Sequence, residues 1–192
     1  MGGAAGHMAH PFDLGWVDNG SNLIDFFEKA KTFVEKEGAG AVKIDGVNVS
    51  FKVVETPNGH EFAVDRGSLK PIDIEGITMG RVDDRFPEGH GMRPAIKTLL
   101  AILNTALPTV KNELEELGMW DDPSLFLNTE YVEGTTNVTE YDENFLAIHG
   151  LNQFYHKIHS RNGQERPGAE RPEGVKAPSV EAPYDPAIME SL

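Results

Sequence analysis

Apolar and polar residues alternate between Val47 and Lys52, and Val53-Val54 closes the run. Val47, Val49, Phe51 and Val53 hold one parity, and Asn48, Ser50 and Lys52 the other. A period of two predicts a half-buried strand. Thr56-Pro57-Asn58-Gly59 is a turn signal, and Glu61-Phe62-Ala63-Val64-Asp65-Arg66 reads as the returning strand of a hairpin. Two more strands are expected further on: Phe126 to Gly134, apolar but bearing Glu130, and Asn144 to Gly150, a short run suited to burial. Elsewhere the period lengthens. Leu23, Phe26, Phe27, Ala30, Phe33 and Val34 recur at helical spacing, which predicts a helix over 22–37. Ser21 is expected to cap it, Gly38 to stop it, and its apolar stripe to pack in the core. A second helix is expected over 92–107, where Pro108 breaks it, and a third over 109–117, before Gly118.

The polar segment 71–91, with Arg81, Arg85 and His90, reads as a surface insertion or a loop over a ligand. Residues 166–186, rich in Pro, Gly and Glu, read as a linker. The pattern therefore predicts an α+β fold, antiparallel sheets flanked by helices, in a domain over 11–160. Residues 161–192 are expected to be a linker or the start of a truncated segment. Residues 1–10, containing Gly6-His7-Met8, read as a cloning remnant.

With 192 residues, one domain with a real core is expected. A formal charge of −14 argues against generic, charge-driven nucleic-acid binding, because a phosphate backbone rewards Lys and Arg. It leaves room for a local basic cleft. The absence of cysteine excludes disulfides, thiolate catalysis and Cys-ligated zinc, and fits a cytoplasmic protein. No apolar run is long enough to span a membrane, so no membrane partner is expected.

The chemistry-bearing stretch is Lys43-Ile44-Asp45-Gly46-Val47-Asn48. A lysine with a pKa near ~10.4 is a poor nucleophile until cations, a metal or desolvation lower that value. Beside an acid and a glycine at a strand edge, it is placed as an amine attacking a nucleotide phosphate would need to be. So short a pattern also arises as an ordinary surface turn. Arg66 ends the hairpin near the same edge, where a guanidinium could grip phosphate with two parallel hydrogen bonds. His156 and His159 share a helical i, i+3 spacing. With no third ligand at a recognisable spacing, they are read with His149 as polar surface histidines rather than a zinc site. Glu133 and Glu140 read as solvated, and Tyr131 as strand packing.

This order of residues resembles the covalent nucleotidyltransferases, meaning ATP-dependent RNA and DNA ligases and mRNA capping enzymes, and within them the RNA ligase branch. The resemblance covers about residues 20–155. It implies Lys43 as the nucleophile that becomes adenylylated, and Asp45, Gly46, Asn48, Arg66, Glu130 and Ile148 as nucleotide-binding residues. In it, Asn48 lies near phosphate and ribose, Arg66 contacts phosphate or ribose, Glu130 holds a ribose hydroxyl, and Ile148 takes the purine-stacking position. His149 stands where the family has an aspartate. It further implies ATP and Mg²⁺ (or Mn²⁺) as cofactors and an RNA or nicked duplex as partner. The setting it implies is cytoplasmic, including a phage protein in its host. The family's C-terminal glutamate and paired-lysine strands have no convincing counterpart. Glu173-Gly174-Val175-Lys176 has the letters of the first but lies in the linker-like stretch, and Lys176 is the last lysine. Two alternatives stay open: a non-catalytic nucleotide-binding or structural module, and a guanylyltransferase.

Overall fold

The computed structural model describes residues 14–37, 44, 46–66, 71–133, 141–155, 168–170, 173 and 179–192. Strands β1 (Val47–Thr56) and β2 (Gly59–Asp65) form the expected hairpin, in register from Ser50 opposite Asp65 to Thr56 opposite Gly59. Gly59 closes the turn at φ 110°, a conformation that favours glycine, and the Thr56 hydroxyl donates to its carbonyl at 2.8 Å. Strands β3 (Leu125–Val132), β4 (Phe145–Phe154) and β5 (Ser179–Glu181) complete a five-stranded sheet of order β2-β1-β3-β4-β5. Every neighbouring pair is antiparallel. With the helices that flank it, the sheet makes the fold α+β.

The chain divides after Ile44 into two units. The first carries α1 (Gly20–Glu37). Its cap is Asn19 rather than the expected Ser21: the Asn19 side-chain oxygen accepts the Asn22 backbone N–H at 3.0 Å. Trp16 and Phe26 lie 5.9 Å apart by ring centroid, and Phe26 meets Phe27 edge-on. Ile24, Phe27, Phe33 and Val34 are exposed.

The second unit holds the sheet and its core. Val49, Phe51 and Val53 share one sheet face with Phe62, Val64, Leu127 and Leu151. Against that cluster pack Ile96, Leu99 and Leu100 of α4 (Met92–Ala106) and Leu114 of α5 (Lys111–Glu116). Leu100 is fully buried. Leu100→Ala should therefore lower unfolding stability by about 2–5 kcal/mol, measured by urea denaturation.

Two sequence expectations are corrected here. Segment 71–91 is not a surface insertion. It forms α2 (Pro71–Glu75) and α3 (Val82–Arg85), and Ile77, Val82 and Phe86 are core residues. Ile77 pairs with the outer edge of β2, exchanging backbone hydrogen bonds with Val64 at 3.0 and 2.9 Å. The Asn104 side chain accepts the Phe62 N–H at 2.7 Å, so this sheet edge is satisfied in turn by a strap and by an amide. The second correction concerns the expected linker. Residues 179–181 are β5, and α6 (Pro186–Ser191) packs Ile188 and Met189 on the core. Asp185 caps α6 by accepting the Ala187 N–H at 2.9 Å, with Pro186 opening the helix. Those prolines and acids are helix-start chemistry as much as linker composition. The sheet-bearing unit thus runs past residue 160 to include 179–192. Among the described residues no helix is long and apolar enough to cross a membrane.

Candidate functional site

Residues paired across antiparallel strands project to the same side, so the register defines a second sheet face opposite the core. Asn48 lies opposite Glu130, Ser50 opposite both Asn128 and Asp65, and Lys52 opposite Ala63. The alternation that hides Val49, Phe51 and Val53 thus gathers Asn48, Ser50, Lys52, Asp65, Asn128 and Glu130 on one polar surface. Lys52, Ser50 and Asp65 are nonetheless buried.

Lys43 and Asp45 lie outside the described residues; the rest of their motif does not. The Gly46 N–H donates to Glu130 Oε1 at 3.1 Å, joining positions 84 residues apart. Asn48 Nδ2 donates to Asn128 Oδ1 at 3.1 Å and to the Thr129 carbonyl at 3.2 Å. Arg66 Nη1 donates to the Asn48 carbonyl at 3.0 Å. Gly46, Asn48, Arg66 and Glu130, taken from three separate stretches of sequence, therefore meet at one end of the polar face.

Ile148 does not join them. It pairs with Thr129 and packs against the apolar core, on the face opposite Glu130, so it is not the base-stacking residue. The cause is a β-bulge: β3–β4 pairing passes from Asn128–Gly150 to Thr129–Ile148 and skips His149. Counting alternation through Phe145–Gly150 misses that slip. Ala147 is the residue facing Glu130, and His149 Nε2 comes to 3.9 Å from Glu130 Oε2. His156 and His159 lie outside the described residues. Glu173 is exposed in a turn, and the rest of its motif-like stretch is outside them.

Three polar groups here have hydrogen-bonding capacity left over among the described residues. Arg66 is half-buried and makes one hydrogen bond, with no ion pair among the described residues. Burial, followed by the nearby Arg85 charge, lowers its pKa, against the opposing pull of Asp73 and Asp65. Asn48 Oδ1 and Ser50 Oγ are buried without a hydrogen-bond partner among the described residues. Buried polar atoms are ordinarily satisfied: the Arg66 N–H groups and the Ser50 hydroxyl can donate to an anion or water, whereas Asn48 Oδ1, an acceptor, suits water or a ligand hydroxyl.

Beneath them lies a charge network that sequence reading did not find. Lys52 Nζ donates to the Ile74 carbonyl at 2.8 Å and lies 3.6 Å from Asp65 Oδ2. Arg85 Nε donates to both oxygens of the fully buried Asp73, at 2.9 and 3.2 Å. The available signal was Lys52 itself, which shares strand parity with Asn48 and Ser50. No group of three or more His, Asp or Glu converges for a metal among the described residues. Mg²⁺ needs less, since one or two protein oxygens with substrate phosphates and water suffice. Asn48 Oδ1 and Glu130 are hard oxygen donors of that kind. Compared with known protein families, with curated proteins and with solved structures, the chain matches none.

Proposed function

We propose that this chain is a covalent nucleotidyltransferase of the RNA ligase kind, its sheet being one wall of an ATP pocket. The observation carrying this reading is the meeting of Gly46, Asn48, Arg66 and Glu130 at one end of the polar face. The family resemblance points to these residues, and hydrogen bonds of 3.1 and 3.0 Å join Gly46 to Glu130 and Arg66 to Asn48.

In this reading the Lys43 amine, deprotonated, attacks the α-phosphorus of ATP. A phosphorus–nitrogen bond forms as the bond to pyrophosphate breaks, leaving lysyl-AMP. Arg66 carries a positive charge, and its N–H donors beyond the one on Asn48 have no partner among the described residues, which suits them to phosphate oxygens. Glu130 can accept a ribose hydroxyl through the oxygen not held by Gly46, and Asn48 Oδ1 offers an acceptor beside it. A divalent ion held by Asn48 and Glu130 together with the phosphates would neutralise charge on the nucleotide. AMP then passes to a 5′-phosphorylated RNA end, and a 3′-hydroxyl displaces it. Reactions of this class depend mainly on alignment and charge stabilisation.

The formal charge of −14 favours a second reading, a nucleotide-binding module without the transfer chemistry. One experiment separates the two. The chain is incubated with α-labelled ATP or GTP and Mg²⁺, then run on a denaturing gel. Covalent label with ATP, lost in Lys43→Ala, is the expected result. Label with GTP alone would make the protein a guanylyltransferase. No label with either nucleotide would leave the binding module.

A further inference from the structure

We propose that Arg85 joins Arg66 to form a two-arginine clamp for a phosphate chain, here the distal phosphates of the nucleotide. Connectivity brings the two together. β2 ends at Asp65, whose next residue is Arg66, and Asp65 faces Lys52. Lys52 holds the Ile74 carbonyl, and the preceding residue, Asp73, holds Arg85. Gly76 presses the strap onto this assembly so closely that a Cβ there would lie 2.8 Å from Lys52 Cε.

Both guanidiniums have donors to offer. Arg85 binds Asp73 through Nε alone and lies over the Phe86 ring at 4.9 Å; its four Nη hydrogens have no partner among the described residues. Its side chain is 19 % exposed, so solvent and ligand can reach it. Arg66 makes one bond of a possible five among the described residues. The cluster of Lys52, Arg66 and Arg85 against Asp65 and Asp73 carries a surplus positive charge. The Arg85 charge acts on Arg66, lowering its pKa after burial, and an anion bound by both would offset that repulsion. Ser50 Oγ, 1 % exposed and unpartnered among the described residues, faces Asp65 from the same surface. Planar, forked donors of this kind suit phosphate oxygens better than a lysine does.

This inference rests on the proposed nucleotide site for the source of the phosphate, and its test separates the two. Full-length protein is titrated calorimetrically with inorganic pyrophosphate, ATP, AMP and a 5′-phosphorylated oligoribonucleotide. The variants are Arg85→Lys and the double Asp73→Asn/Arg85→Gln, which removes both charges of that pair; melting curves confirm that each is folded. The clamp requires that Arg85→Lys weaken pyrophosphate and ATP about tenfold or more, the step worth one good charge-assisted contact. AMP and oligonucleotide should be unaffected. If the oligonucleotide and AMP weaken instead, the clamp holds a 5′-phosphate end and not the nucleotide tail. Equal binding of every probe by wild type and variants overturns the clamp, as does no binding of any probe by wild type. Lys43-dependent labelling in the wild type, scored separately, reports on the transfer reading alone.

Discussion

Lys52→Met will lower the unfolding free energy by about 3–5 kcal/mol at neutral pH, the loss typical of breaking a buried ion pair from one side. The ammonium is 5 % exposed, and its partner Asp65 is wholly buried. Methionine keeps most of the stem, so the packing beneath Gly76 survives and the change is one of charge. The Ile74 carbonyl loses its donor as well, which by itself costs about 1–3 kcal/mol when no replacement exists. A second variant makes the argument specific. In Lys52→Met/Asp65→Asn neither charge remains, and most of the stability should return, because a neutral buried pair carries no large desolvation penalty. Urea titrations of the wild type, both singles and the double give the coupling directly. A single-variant loss below about 1 kcal/mol, or a double variant as unstable as Lys52→Met, would show that the network does not hold the strap on the sheet.

The consequence reaches the candidate site, because the same strap carries Asp73 and, through it, Arg85. A chain that loses Lys52 should loosen the edge carrying Arg66 and Arg85 before it loses the apolar core on the other side of the sheet. Labelling at Lys43, if it occurs, should then fall in Lys52→Met even at temperatures where the protein stays folded.

How much of this was legible in the sequence depended on whether the signal was local. The β1–β2 hairpin announced itself because strict alternation and a Pro-Asn-Gly turn agree over adjacent residues, and nothing distant had to be known. The convergence of Gly46, Asn48, Arg66 and Glu130 was approachable through resemblance, since each sits in a short recognisable stretch. Ile148 was misplaced because a one-residue bulge inverts the facing of every residue before it, and a bulge leaves no mark in hydropathy. Segment 71–91 was hidden for another reason. Its buried Ile77, Val82 and Phe86 are separated by charged residues that find partners of their own, such as Arg85 with Asp73 and Arg81 with Glu75. Lys52 and Asp73 look solvated in sequence because only the folded strap buries them. In the C-terminal stretch, Asp185-Pro186 acts as a helix start although its neighbours have the composition of a linker.

On the proposed transfer reading, Gly46→Ala should slow labelling by about 10²-fold while leaving most of the fold. A Cβ at this position would lie 2.6 Å from the Tyr131 carbonyl oxygen and 3.0 Å from both Glu130 Cγ and Val132 Cγ2. The carbonyl belongs to β3, hydrogen-bonded on both sides in the middle of the sheet, so it cannot move aside cheaply. The glycine must retreat instead, and its N–H leaves Glu130 Oε1. Overpacking of this sort costs about 1–3 kcal/mol, measurable as a lower melting temperature without loss of cooperativity. The effect on function is larger. Gly46 follows Lys43 by three residues in sequence, and a displacement near 1 Å at a reacting group can reduce a rate by about 10²-fold. Single-turnover labelling at saturating ATP should therefore fall by about that factor. Gly59→Ala supplies the control: its Cβ meets nothing within 4 Å, and only the φ of +110° penalises it. It should lose stability through strain alone, at about 1–3 kcal/mol, and label at the wild-type rate. If Gly46→Ala labels as fast as Gly59→Ala, the close approach of this glycine to β3 supports the sheet and plays no part in placing the nucleophile.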